Sequence, residues 1–125
     1  MTPTATERDE IFKAFGRAFF KQDLDAMYRV VSPNFVWTVV VDDEIRVLSS
    51  RDAIAAHFAE RKGKMANVRF EDVVFHHAPD ASFMTYRMTG TETATGKSIG
   101  RIGVERYTFA DGKLAEKDVY SRDVG

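Results

Sequence analysis

The chain has no cysteine. That absence excludes disulfides, thiol catalysis and thiolate-bound metal, and it predicts a reducing compartment. No apolar run approaches the length of a membrane span. Met1 to Arg8 carry no apolar signal core, so the expected location is cytoplasmic. Charge of one sign is missing as well. Eighteen Lys and Arg against 19 Asp and Glu leave a net charge of −1, which gives no electrostatic pull toward nucleic acid or an anionic membrane. Histidine is scarce at three residues, with no HxxxH or HxH spacing. His76 and His77 are neighbours on one predicted strand and point to opposite faces, so they cannot chelate together. Neither a metal site nor a cofactor is expected.

What is present is an aromatic load of ten Phe, four Tyr and one Trp in 125 residues. Aromatic side chains fill cores and also line small-molecule pockets. The length predicts one domain over 1–125, with 1–5 as a short arm. Ile11, Phe12, Phe15, Ala18 and Phe19 recur at helical spacing behind Thr6, which predicts a capped amphipathic helix. Asp23 or Asp25 can cap a shorter helix that ends before Pro33. Phe35–Val41 is β-branched and aromatic and reads as a strand, with a turn at Asp42–Glu44 and a short return at Ile45–Leu48. Ser49 or Ser50 starts a third helix, which Gly63 is expected to stop. The basic string Arg61-Lys62-Gly63-Lys64 reads there as charge complementing the helix dipole. From Val68 onward the pattern is a meander of strands. Helices beside an antiparallel sheet make an α+β layer fold.

The most informative stretch is the last one, Gly100 to Asp123. Asp111-Gly112 is a strong hairpin signal between two β-prone runs. With Phe109 opposite Leu114, one face would carry Arg101, Gly103, Glu105, Tyr107 and Phe109 beside Leu114, Glu116, Asp118, Tyr120 and Arg122. Glu105 and Asp118 would then face each other as a carboxylate pair able to move a proton, with Arg101 and Arg122 next to them. A one-residue slip would instead set Glu105 opposite Lys117 and Arg106 opposite Glu116, as ordinary cross-strand ion pairs. His57 shares a helix side with Ile54 and Phe58. It is either an acid–base group over a pocket or a core or surface histidine. Ile102, Val104 and Val119, with Thr108 and Ser121, would form an outer face that a second copy of the chain could cover.

The ordered pieces carry a resemblance. They are Ile11–Phe20, Asp23-Leu24-Asp25, Ser32–Trp37, Arg51–Phe58, Thr89–Lys97 and Tyr107–Glu116. In that order the chain resembles the nuclear transport factor 2-like superfamily, in its SnoaL-like branch. The resemblance implies a cystatin-like, cone-shaped, strongly curved mixed or antiparallel sheet, closed by three helices over a deep pocket, and commonly a homodimer through the outer sheet face. Two activities of similar proteins lack their residues here. Val39 stands where ketosteroid isomerases place a base, and the first helix has Phe where they have a tyrosine. Tyr86-Arg87-Met88 lacks the aspartate of the epoxide hydrolases, whose late aspartate is Arg122 here.

The resulting expectation is a pocket for a small, mostly apolar organic ligand, with cofactor-free proton transfer of isomerase, dehydratase or cyclase type. Asp118 would be the base, Glu105 and His57 its partners, and Tyr120 or Arg122 the oxyanion stabilisers. Trp37, Phe15, Phe19, Phe58, Tyr107 and Arg101 would contact the ligand. The alternative is a binding or accessory module without chemistry.

Overall fold

A computed structural model describes residues 2–41 and 43–124, with Val41 described in its backbone alone. Three helices and six strands follow in the order α1 (Ala5–Lys21), α2 (Leu24–Met27), β1 (Val31–Val41), β2 (Glu44–Leu48), α3 (Arg51–Lys64), β3 (Met65–His77), β4 (Ser82–Glu92), β5 (Ser98–Ala110) and β6 (Lys113–Asp123). The strands form one mixed sheet in the order β2-β1-β6-β5-β4-β3. The β1–β6 pair is parallel and the other pairs are antiparallel. The expected α+β fold is present, with the helices laid over one face of a curved, open sheet. No helix among the described residues is long and apolar enough to cross a membrane.

Local chemistry explains most boundaries. α1 starts two residues earlier than Thr6 predicts. Thr4 is the cap, and Glu7 reaches back to complete a capping box. The expected arm is therefore partly fixed, and Pro3 is buried. Asp23 caps α2 by accepting from the Ala26 amide, and Ser50 caps α3 by accepting from the Ala53 amide. Gly63 does not stop α3, which runs on to Lys64. The strand β3 begins at once, and its pairing with β4 sets the helix end in place of the glycine. β1 likewise begins at Val31 rather than Phe35. The expected turn at Asp42 lies outside the described residues.

The core is the aromatic stripe of α1 laid on the inner sheet face. Phe12 and Phe15 pack with Phe35, Trp37, Tyr107 and Leu114, and ring contacts run through them: Phe12–Tyr107 centroids are 4.9 Å apart and Phe15–Phe35 centroids 6.2 Å. Such edge-to-face contacts add to the burial of apolar area.

The hairpin turn forms as expected, with positive φ at both Asp111 (52°) and Gly112 (76°), as a two-residue primed turn requires. Phe109 does sit opposite Leu114. One residue later the register shifts, because Thr108 pairs with Glu116 and leaves Ala115 as a bulge. A bulge bends its strand and reverses which face the following residues present. β1 skips at the same level, passing from Val31–Leu114 to Val36–Glu116. The bend that curls the sheet is thus built into both strands.

This overturns the inner-face set expected on β6. Beyond the bulge Tyr107 pairs with Lys117, Glu105 with Val119 and Gly103 with Ser121. Asp118, Tyr120 and Arg122 pair with Arg106, Val104 and Ile102 on the outer face. Neither expected register is therefore correct beyond the turn. The outer apolar set changes as well: Val119 and Ser121 turn inward, and Tyr120 takes the outer position at 60% exposure.

Candidate functional site

The inner face of the bent hairpin holds a buried ion pair. Glu105 is 4% and Lys117 3% exposed, and the Lys117 Nζ lies 3.2 Å from Glu105 Oε1. They are diagonal neighbours across β5 and β6, made so by the bulge. The Tyr107 hydroxyl donates to the same Glu105 oxygen, and the Tyr86 hydroxyl faces that carboxylate. Tyr86 fits there because residue 103 is glycine. A Cβ at Gly103 would stand 2.6 Å from the Tyr86 hydroxyl.

The ammonium also sits among rings. Lys117 Nζ is 3.7 Å from the Phe19 centroid, 5.2 Å from Trp37 and 5.4 Å from Phe15. Cation–π attraction of this kind strengthens when the cation is stripped of water. Burial lowers the proton affinity of Lys117, and the Glu105 carboxylate opposes that change. Burial first, and then the Glu105 charge, push the Tyr107 and Tyr86 phenols above the ordinary tyrosine value. Both stay protonated and able to donate.

Above this floor is a cavity of about 500 Å³. Its wall includes Phe19, Trp37, His57, Arg61, Tyr86 and Arg101, with Glu105 and Lys117 at the base. Glu105 and Lys117 also border a second, more apolar space of about 470 Å³ under α1. The pair thus stands between the two.

His57 packs edge-on against Trp37, with centroids 4.9 Å apart. Burial, then the charges of Arg61 and Arg46, lower its pKa to about 4, so the ring is neutral at pH 7. The Arg46 Nη1 stands 3.5 Å from His57 Nδ1. A guanidinium can only donate, so Nδ1 accepts and the ring proton belongs on Nε2. His57 Nε2 and Trp37 Nε1 are both buried without a hydrogen-bond partner among the described residues. Two unsatisfied N–H donors on adjacent rings are costly to a fold that does nothing with them.

Of the residues expected at the site, Glu105, His57, Trp37, Phe19 and Arg101 line the larger cavity. Phe15 and Tyr107 pack beneath it and border the second space, while Phe58 is core against Phe19 and Trp37. Asp118 is turned away, 3.5 Å from Arg106, and Tyr120 and Arg122 are exposed beside it. Their expected roles required the register that the bulge removes. Lys117, Tyr86 and Arg61 were missed as site residues, although the slipped register does bring Lys117 to Glu105.

The string Gly96-Lys97-Ser98-Ile99-Gly100 has the G-x-S-x-G spacing of a nucleophile elbow. It leads from a hairpin turn into β5 instead of from strand into helix, and Ser98 is exposed. Among the described residues no group of three or more His, Asp or Glu is placed to hold a metal ion.

Known proteins give a consistent picture of the fold. The SnoaL-like domain family matches residues 12–117. An NTF2-like protein of Burkholderia xenovorans LB400 superposes with a TM-score of 0.81 at 15% identity, over 95% of this chain and 92% of that one. An NTF2-like protein of Burkholderia thailandensis E264 gives 0.76 at 22% identity, over 90% and 88%. A protein of Xanthomonas campestris pv. campestris, provisionally assigned as a polyketide cyclase, gives 0.74 at 16% identity, over 92% and 90%. No protein with a curated description matches the chain.

Proposed function

For a chain that belongs to the SnoaL-like domain family, we propose a cavity that holds a small, mostly apolar organic molecule and performs cofactor-free proton transfer beside one of its oxygens. The observation that carries this reading is the Glu105–Lys117–Tyr107 cluster at the base of a cavity with two unsatisfied N–H donors in its wall. Glu105 is the base in place of Asp118. Lys117 holds the countercharge and can return the proton. The Trp37 Nε1–H and His57 Nε2–H donate to the substrate oxygen on which charge develops. The provisional cyclase and isomerase assignments of structural relatives support the same class of chemistry.

The direct measurement is solvent deuterium exchange next to the carbonyl in a panel of small cyclic ketones and keto acids. The wild type should exchange at least one of them faster than buffer. Glu105→Gln should lose that rate, and Asp118→Asn should keep it. Exchange that survives in Glu105→Gln and fails in Asp118→Asn removes this assignment.

A second reading is favoured by the depth of the pair. At 4% and 3% exposure, Glu105 and Lys117 neutralise each other and hardly meet the cavity. The chain would then be a binding module. It predicts that ligands shift tryptophan fluorescence while no exchange is catalysed.

Pairing of two copies through the outer face belongs to the same proposal. The exposed Ile45, Val47 and Tyr120 on that face support it. Sedimentation equilibrium of wild type and Val47→Glu measures it, and a wild type that is monomeric at all concentrations removes it.

A further inference from the structure

Arg61 belongs to a basic string that the helix dipole accounts for, but it does not behave like its neighbours. Lys62 and Lys64 are exposed, and Lys64 pairs with Glu60 at 3.0 Å. Arg61 turns the other way, half-buried, and lines the larger cavity. Each carboxylate in that cavity wall is already engaged. Glu60 takes Arg46 at 2.8 Å, Glu105 takes Lys117 at 3.2 Å and Asp123 takes Arg101 at 2.8 Å. Glu92 accepts from the Thr95 hydroxyl at 2.8 Å.

Arg61 itself makes no hydrogen bond or ion pair with any described residue, and Glu105 acts on it through space alone. Burial, then the like charge of Arg101, disfavour its charged form. A half-buried guanidinium with five unused donors is expensive unless something anionic comes to it. The surplus positive charge is felt one turn back on the same helix too, where Arg61, Arg46 and Lys117 disfavour protonation of His57 against the opposing charge of Glu60.

We propose that Arg61, with Arg101 beside it, binds a carboxylate, so that the organic ligand of this cavity is a small carboxylic acid with an apolar body. The inference rests on the ligand-binding reading above and names the substrate class for it. The planar guanidinium matches a carboxylate through two parallel hydrogen bonds. The body of the acid lies along Phe19, Trp37 and Met88. Its carbonyl end lies toward Trp37 and His57. Lys62 faces solvent, and Lys64, at the edge of the cavity, is already held by Glu60 at 3.0 Å.

The test is a titration followed by Trp37 fluorescence and by protein NMR. The probes are phenylacetate, 3-phenylpropionate and 4-phenylbutyrate, each with its methyl ester and its primary amide. At least one acid should bind about tenfold tighter than its own ester and amide, the usual order for one charge-assisted pair. Arg61→Met, which keeps much of the stem packing, should lose that preference. Arg61→Lys should keep part of it, and Lys62→Met should leave it unchanged. The preference should also shrink as salt rises.

Acids that bind no better than their esters and amides overturn the carboxylate assignment and leave the cavity reading standing. The same holds if Arg61→Met is folded by circular dichroism and still prefers the acid. If Arg61→Met does not fold, the acid–ester difference and its salt dependence in the wild type decide the matter alone. Failure of every probe to perturb cavity resonances in the wild type overturns both readings together.

Discussion

Two buried polar clusters sit at opposite ends of α1, and they use their hydrogen bonds differently. At the N-terminal end Arg8 is almost fully buried. Its donors reach the carbonyls of Pro3, Ala78, Ala81 and Pro79 and the Ser82 hydroxyl, all within 3.2 Å. Ser82 stands 2.7 Å from His77 Nδ1, and His77 Nε2 stands 3.0 Å from Asp9. Serine, histidine and aspartate in a row suggest a nucleophile, but Ser82 is wholly buried and none of the cavities described above includes it. Every group in that cluster is answered by another, which makes it a clasp tying α1 to the β3–β4 turn. At the other end the Glu105–Lys117 pair is answered too, but the cavity above it holds unanswered donors on Trp37, His57 and Arg61. Buried polarity alone does not mark a site. Unused hydrogen-bonding capacity on residues that line a cavity does.

The largest test of this contrast breaks the cavity pair. Lys117→Met leaves Glu105 charged and unpaired in the core, and urea unfolding should show a loss of about 3–5 kcal/mol. The double variant Glu105→Leu/Lys117→Met should recover more than half of that, because no unpaired charge remains. A double variant as weak as the single one would mean that packing, not charge, sets the cost.

The next test uses pH. An unfolded histidine takes its proton near 6.5, and His57 in the fold takes it near 4. The unfolded state therefore binds more protons between those values. Stability is full above pH 6.5 and falls as pH drops toward 4, by about 3 kcal/mol at most for this one residue. His57→Gln should flatten that part of the curve, and a wild-type profile with no slope there would contradict a buried neutral imidazole.

In the clasp, Arg8→Met should cost about 2 kcal/mol, since it takes the guanidinium donors away from the Pro3, Ala78 and Pro79 carbonyls and from the buried Ser82 hydroxyl. It should leave ligand titrations of the cavity unchanged, which separates the two clusters. Gly103→Ala places a Cβ against the Tyr86 hydroxyl and should cost about 1–3 kcal/mol by overpacking. Tyr86→Phe in the same chain should relieve part of it. The smallest effect is Asp118→Asn on the outer face, no more than about 0.5 kcal/mol.

Much of the fold is legible in local sequence because the signals are local. The Phe spacing of α1, the Ser50 cap, the β-branched run of β1 and the Asp111-Gly112 turn each act over a few residues. The candidate site was legible in part. Glu105, His57 and Trp37 were recognised by chemistry and by their place on predicted elements. Asp118, Tyr120 and Arg122 were misplaced because one unpaired residue, Ala115, inverts the alternation of the whole strand after it. Nothing about an alanine announces a bulge.

The sequence by itself determined the elements, their order and the hairpin turn, since helical periodicity, capping and positive φ are properties of short segments. It also supplied a stock of aromatic and charged groups large enough for a pocket. Only the tertiary structure decided which charges meet. The sheet must curl to bury the stripe of α1, the curl is made by bulges in β6 and β1, and those bulges turn Lys117 inward and Asp118 out. Arg61 was likewise assigned its side by the cavity it closes, because a helix terminus accepts a cation whichever way its side chain points.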